Sequence, residues 1–194
     1  MNKYLEARGI RIATGTIVDA TIIHAPSSTR NRAGERDPEI HETKKGNLGV
    51  LRGQGAYRRG YKQTVVHSAA TTAASVADAH MLPELLHGDE KNVWGDAGYQ
   101  GQTEAIHQAA PQAQDMTSRR TKFKNYIDEE AKRKNTTKAR VRSKVEHPFR
   151  ILKRIFGFTK VRYRGLWKNH QWLCAAFALL NLYQHRNRLA PQGA

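Results

Sequence analysis

Cysteine occurs once in the 194 residues, at Cys174, which excludes an intrachain disulfide and any zinc site built from several thiolates. Long apolar runs are missing as well. The longest, Leu173 to Leu180, is far short of the ~20 residues a membrane span needs. Met1 to Ile10 holds three charged residues and no apolar stretch, so it does not read as a signal peptide. Acidic residues are scarce: 17 Asp and Glu face 33 Lys and Arg, a net charge of +16. These shortages point to a soluble, cytoplasmic chain drawn to polyanions, of which nucleic acid is the commonest. Hydrophobic residues are 39% of the chain, enough for a modest core, and the length suits one domain.

The positive charge is concentrated. Residues 115–170 carry 18 Lys and Arg against 5 Asp and Glu, so +13 of the +16 lies there. Phe123, Tyr126, Phe149, Phe156, Phe158, Tyr163 and Trp167 are interleaved with it, a composition suited to tracking phosphates. Ala25 to Asn47 reads as a long polar loop.

Periodicity predicts an α/β chain. Strands are expected over Thr16–Ile23, Thr64–Thr72 and Thr159–Tyr163, and Lys91–Tyr99 reads as a short strand running into a glycine-punctuated turn. Helices are expected over Val76–Leu86, Gln102–Ala110 and Glu129–Arg154, with a break or restart at Pro148. A last helix is expected from a cap at Asn169, with Trp172, Leu173, Ala176, Phe177, Leu180 and Tyr183 periodic along it. Asn47–Gln63 holds several glycines and little alternation, and reads as poor strand material.

Three acids stand out by context. Asp19 lies within an apolar strand, where an unpaired carboxylate is costly. Asp96 sits where a strand gives way to a glycine turn, and Glu146 lies between Lys144 and Arg150 on a helix. Converging carboxylates suit hard divalent cations, and two such ions about 3.5–4 Å apart suit phosphodiester cleavage. Spacing alone leaves ordinary structural roles open for all three. His147 and Tyr99 read as a surface histidine and a turn aromatic, and Cys174 as core filler. His80 and His87 lie seven apart with no third ligand in sequence, which argues against zinc.

The strings Gly15-Thr-Ile-Val-Asp-Ala-Thr-Ile-Ile23, Thr43-Lys-Lys-Gly-Asn47, Asp96-Ala-Gly-Tyr-Gln-Gly101, Lys144-Val-Glu-His-Pro-Phe149 and Lys160-Val-Arg-Tyr-Arg-Gly-Leu-Trp-Lys-Asn169 together resemble the DDE transposases of bacterial insertion sequences, specifically the insertion-sequence-five group. The resemblance runs from about Tyr4 to Leu189. It implies an RNase H-like mixed sheet flanked by helices, with a basic C-terminal helical part. Residues 1–190 would form the catalytic core, 115–170 being its DNA-facing segment. Asp19, Asp96 and Glu146 would be the catalytic acids and the ligands of two Mg²⁺ ions, with Mn²⁺ as a substitute. The reaction implied is metal-dependent cleavage and strand transfer at element ends. Double-stranded DNA, as terminal inverted repeats and target, would be the partner, with a homo-oligomeric transpososome and a nucleoid-associated location. The family's third-acid signature, Tyr-x2-Arg-x3-Glu-x6-Lys, is met by Arg142, Glu146 and Lys153, with Ala139 in place of the Tyr. Arg142, Lys153, Arg150 and Arg154 are the expected DNA contacts.

Two departures mark the chain as an expected truncated, degenerate copy. The helical DNA-binding region that precedes the family's core is expected to be missing. Val50–Gln63 also differs from the family's apolar strand, although its length is kept. Codons can be chosen for Val50–Gln63 that, read one base later, give Tyr-Phe-Gly-Ala-Lys-Ala-His-Ile-Gly-Val-Asp-Thr-Asn, which matches that strand. A frameshift and a compensating shift would account for it. A basic nucleic-acid-binding remnant without catalysis is the alternative function. A ribosome-associated RNA-binding protein fits the charge but leaves the three acids unexplained.

Overall fold

A computed structural model describes residues 2–10, 14–24, 32, 34–35, 37, 39, 42–43, 46–57, 65–73 and 76–190. Helices α1 (Asn2–Ala7), α2 (Leu82–Leu85), α3 (Thr103–Ala109), α4 (Glu129–Arg142), α5 (Glu146–Arg150) and α6 (Leu166–Leu189) surround strands β1 (Gly15–His24), β2 (Glu42–Thr43), β3 (Gly46–Tyr57), β4 (Val65–Ala73), β5 (Asn92–Trp94) and β6 (Gln114–Asp115). The strand order is β2-β3-β1-β5-β6, with β4 also paired to β3. β3 runs antiparallel to both β1 and β4, whereas β1–β5 and β5–β6 are parallel.

Both faces of β1 are covered. Ile17 and Ile23 enter one apolar cluster with Val145, Phe149, Leu152, Phe177 and Leu180 of the C-terminal helices. Val18, on the opposite face by the period-two alternation of a strand, packs with Leu82, Leu85, Val93, Tyr99 and Ile106. A mixed sheet between two helical layers results, as its β-branched central strand requires. α1 is pinned beside the end of α6 through Leu5, Ile10 and Val65.

Several expectations change. Gly46–Tyr57 is a full strand despite Gly46, Gly49, Gly53 and Gly55, because β1 and β4 satisfy its backbone on both sides. The rest of the altered segment, 58–63, and most of the Ala25–Asn47 loop lie outside the described residues. The helix expected over Val76–Leu86 contracts to a 3-10 turn plus α2. The strand expected at Thr159–Tyr163 does not form; only Lys160 makes a bridge. Helical structure from Glu129 is broken by a 3-10 turn at Ser143–Val145, with Pro148 in the first turn of α5, and ends in a π-helix, Ile151–Ile155. α6 begins at Leu166, so Asn169 is not its cap. Its amide accepts from the backbone N–H of Arg162 and Tyr163 and donates to the carbonyls of Tyr163 and Gly165, tying down the preceding loop. The first turn of α6 is closed instead by Asp37 and Glu39, which accept from the N–H of Gly165 and Leu166, each at 2.6 Å.

A candidate carboxylate site on the central strand

Asp19 lies in mid-β1, opposite Gly53 of β3, on the strand face shared with Ile17 and Ile23. That face looks toward the layer containing Val145, and Glu146 is the next residue along. Asp96 follows β5, which is parallel to β1, by two residues. Strand geometry and helix packing therefore bring Asp96 and Glu146 near enough for their charges to act on Asp19, although ligand atoms of the three do not all lie within 4.8 Å of one another. The electrostatics register this: burial pushes the Asp19 carboxyl up to about 6, and the charges of Asp96 and Glu146 add to the rise. A hydrogen bond from Ala20 N–H at 3.0 Å and the positive charge of Arg142 act against it. The Arg142 Nε is buried without a hydrogen-bond partner.

Asp96 is positioned by its own turn. Its Oδ1 accepts from Gly98 N–H at 2.8 Å and closes the 3-10 turn Ala97–Tyr99. A Cβ at Gly98 would sit 2.9 Å from that oxygen, so glycine is needed for the carboxylate to fold back this closely. The turn is anchored by Tyr99, which is fully buried in the second apolar cluster rather than displayed as a loose turn aromatic.

Carboxylate oxygens without a thiolate are donors that could hold a hard cation, and the charge of Arg142 offsets part of the repulsion on Asp19. A scan against known families matches residues 11–182 to the transposase DDE domain. The chain belongs to the transposase DDE domain family. No solved structure matches it.

For a transposase domain the basic residues matter next. Arg150 and Arg154 are exposed, while Lys153 is half-buried and its ammonium is lowered by burial. The π-turn over Ile151–Ile155 shifts Lys153 and Arg154 around the axis relative to a regular α-helix. Of the aromatics interleaved with the positive charge, Phe149 and Phe158 are core and Phe156 is half-buried. Phe123, Tyr126, Tyr163 and Trp167 do reach the surface. Phe123 and Tyr126 stack at 4.8 Å beside Arg120, on a short hairpin closed by Lys122 and Ile127. That hairpin springs from the site's rim: Ser118 N–H donates to the Gly95 carbonyl, and Arg120 N–H to the Gln100 side chain.

Two sequence readings are corrected. Cys174 is exposed, with its Sγ 3.4 Å from His170 Nε2, because it falls on the outward side of α6. His87 does have partners, supplied by the fold. Ligand-type atoms of His67, His87 and Glu90 lie within 4.8 Å of one another, the one such trio among the described residues. His80 is exposed and takes no part in it. The trio could offer a metal two imidazoles and a carboxylate, but its hydrogen bonds already employ it structurally. Glu90 is fully buried and accepts from His87 N–H and Gly88 N–H at 2.8 Å and from Thr16 Oγ1 at 3.2 Å, tying the loop before β5 to the start of β1. His87 Nδ1 accepts from Asp89 N–H, which leaves Nε2 to carry the proton that faces Glu90 at 3.3 Å. Only tertiary contacts could have revealed this knot, since His67 comes from β4.

Proposed function

We propose that this chain is the catalytic domain of an insertion-sequence transposase of the insertion-sequence-five group, cleaving and joining DNA phosphodiesters at element ends. The observation that carries the reading is the placement of Asp19 on the central strand, with Asp96, Glu146 and Arg142 near enough for their charges to act on its carboxyl. The family match supports transposition as the biological setting. The strand order β4-β3-β1-β5-β6, with β3 antiparallel and β5 and β6 parallel to β1, supports an RNase H-like fold for residues 1–190.

Asp19, Asp96 and Glu146 are the residues that would hold Mg²⁺ ions. Bound there, two such ions would activate the oxygen nucleophile and offset charge on the leaving oxygen of an in-line displacement. The protein's own part is positioning and electrostatics. β1 and the Gly98 turn fix two carboxylates on a rigid sheet, and α5 brings the third. Arg142 keeps the trio from being wholly repulsive. Arg150 and Arg154, with Lys153, would hold phosphates of double-stranded DNA, within a DNA-facing segment spanning 115–170.

The test is divalent-metal-dependent nicking of a duplex carrying the element's end. Nicking with Mg²⁺ or Mn²⁺ that disappears in Asp19→Asn, Asp96→Asn and Glu146→Gln supports the reading. DNA binding without cleavage, in this chain and in one with the family strand restored at 50–62, supports the non-catalytic remnant instead.

A further inference from the structure

The knot of His67, His87 and Glu90 lies on the opposite face of β1 from Asp19. Thr16, which donates to Glu90 Oε1, is three residues from Asp19, about 10 Å along the strand and on the other side of its pleat. The spacing of the knot is that of a ligand set. Nitrogen and carboxylate oxygen held at 2.0–2.1 Å in a tetrahedron around zinc lie about 3.3 Å apart. His87 Nε2 and Glu90 Oε1 are already 3.3 Å apart, and a ring nitrogen of His67 completes the trio within 4.8 Å. The backbone is bent to bring His67 there. Gln54 pairs with Ser68 and Gly55 with Val66, so His67 is the extra residue of a β-bulge in β4. A bulge disrupts the ladder locally and re-aims one side chain. Here the imidazole meets that of His87 edge to face, with ring centroids 5.1 Å apart. His67 Nδ1 is engaged by the Ser68 hydroxyl at 2.8 Å, the outer-shell bond of a histidine that ligates through Nε2. Burial and His87 hold its pKa down at about 4, so the ring is in the neutral form that a metal needs.

We propose that His67 Nε2, His87 Nε2 and Glu90 Oε1 bind one divalent ion of the zinc class, which fastens β4 to the loop entering β5. Two imidazoles and a carboxylate suit zinc, with cobalt as its probe, rather than the Mg²⁺ expected at all-oxygen ligands. The ion takes the place of the hydrogen between His87 Nε2 and Glu90. That proton moves to Nδ1 of the same ring, which exchanges the 3.2 Å bond from Asp89 N–H for solvent, as the exposure of His87 allows. His67 donates from Nδ1 to the Ser68 hydroxyl. The bonds that Glu90 accepts from Thr16, His87 N–H and Gly88 N–H remain and become its outer shell. The existing hydrogen bonds therefore orient the ligands and do not compete with the ion. Three protein ligands leave the fourth position to water. Glu90 lies two residues ahead of β5, the strand that leads to Asp96. The inference uses none of Asp19, Asp96 and Glu146 and stands apart from the transposase reading.

The test is titration of the full chain, stripped of metal, with Zn²⁺ by calorimetry and with Co²⁺ by visible absorption, in excess Mg²⁺. Cys174→Ser is the background throughout, because the exposed Cys174 Sγ lies 3.4 Å from His170 Nε2 and that pair could also hold zinc. One equivalent of Zn²⁺, a higher melting temperature with the ion, and a tetrahedral Co²⁺ spectrum are expected. Ser68→Ala removes only an outer-shell bond and should weaken Zn²⁺ binding by about 10–100-fold. His87→Gln changes an exposed side chain, and its loss of affinity should exceed that of Ser68→Ala. Failure of the chain to bind an equivalent of Zn²⁺, or an unchanged affinity in His87→Gln, overturns the proposal and leaves the catalytic reading intact. Should His87→Gln fail to fold, diethylpyrocarbonate labelling of the parent protein decides the matter. Zn²⁺ should then shield His87 while the exposed His80 and His107 stay reactive. Equal labelling of His87 with and without the ion overturns the proposal.

Discussion

Asp19 is where burial and chemistry conflict. Its carboxyl titrates at about 6 because the charged form is poorly solvated and faces Asp96 and Glu146. A raised carboxyl means that, between about pH 4 and 6, the folded chain keeps a proton the unfolded chain has released. Stability from this group is therefore present at low pH and lost as pH rises through 6. His67 works in the opposite direction. Burial and the neighbouring His87 hold it down at about 4, so its contribution is lost as pH falls below the ordinary histidine range. The two offset each other across pH 4–6.5. Asp19→Asn is expected to raise the melting temperature at pH 7, by up to about 3 kcal/mol of stability for a two-unit shift, and to do nothing below pH 4. It should also expose the His67 slope as a steeper loss on acidification. Thermal melts of both proteins from pH 3.5 to 7.5 check this, and parallel curves would refute it. Metal binding carries the reverse sign, since the ion needs the carboxylate. Calorimetric Mg²⁺ affinity should climb up to tenfold per pH unit below 6 and level off above it. Gly98→Ala is a second probe at this scale. The added Cβ displaces only the end of the Asp96 side chain, so the protein should stay folded, losing about 1 kcal/mol of turn closure. Its Mg²⁺ affinity should fall at least tenfold, and unchanged affinity would show that the folded-back carboxylate is not the binding form.

At the scale of elements, β3 is the part whose sequence and position disagree most. It lies between β1 and β4 and flanks Asp19 directly, yet four of its twelve residues are glycine. Backbone pairing on both sides makes it a strand. Glycine still carries a larger ordering cost and contributes no apolar contact, roughly 0.5–1 kcal/mol each relative to alanine. Restoring the family strand at 50–62 should therefore raise the melting temperature and tighten Mg²⁺ binding at Asp19. A restored protein that melts no higher would remove the frameshift account's physical consequence. The same strand shows why sequence reading stops where it does. β1 and α6 were legible because β-branched runs and a helical stripe report local periodicity. β3 was misread because glycine propensity speaks for an isolated segment and is silent about two waiting neighbours. The two-residue β6 carries no pattern at all. Asp19, Asp96 and Glu146 could be joined beforehand only by resemblance, since no spacing rule links a strand, a turn and a helix. His67, His87 and Glu90 needed the folded chain to be seen.

For the whole molecule, the count of 18 cations in 115–170 overstates the number that DNA can use. No residue of α4 is fully buried, and its cations are partly spent: Lys132 lies 3.2 Å from Glu129 and Lys134 2.6 Å from Glu130. Lys138 donates to the Thr117 carbonyl and lies within the field of Asp115. Arg150 and Arg154 instead line a cavity without a carboxylate, one and two turns beyond Glu146. Counterion release depends on cations that meet phosphates, each contributing about 0.9 to the slope of log K against log salt. If the DNA path follows the carboxylates, neutralising Lys132 and Lys134 together should leave that slope nearly unchanged. Neutralising Arg150 and Arg154 together should lower it by about two. Both pairs remove the same formal charge from the same basic segment, so a general attraction between a +16 chain and DNA would change the two slopes equally. Salt titrations of the two double variants against one labelled duplex distinguish these cases. Equal slopes would mean that DNA is held by the chain's overall charge, and that the surface beside Glu146 has no special share in it.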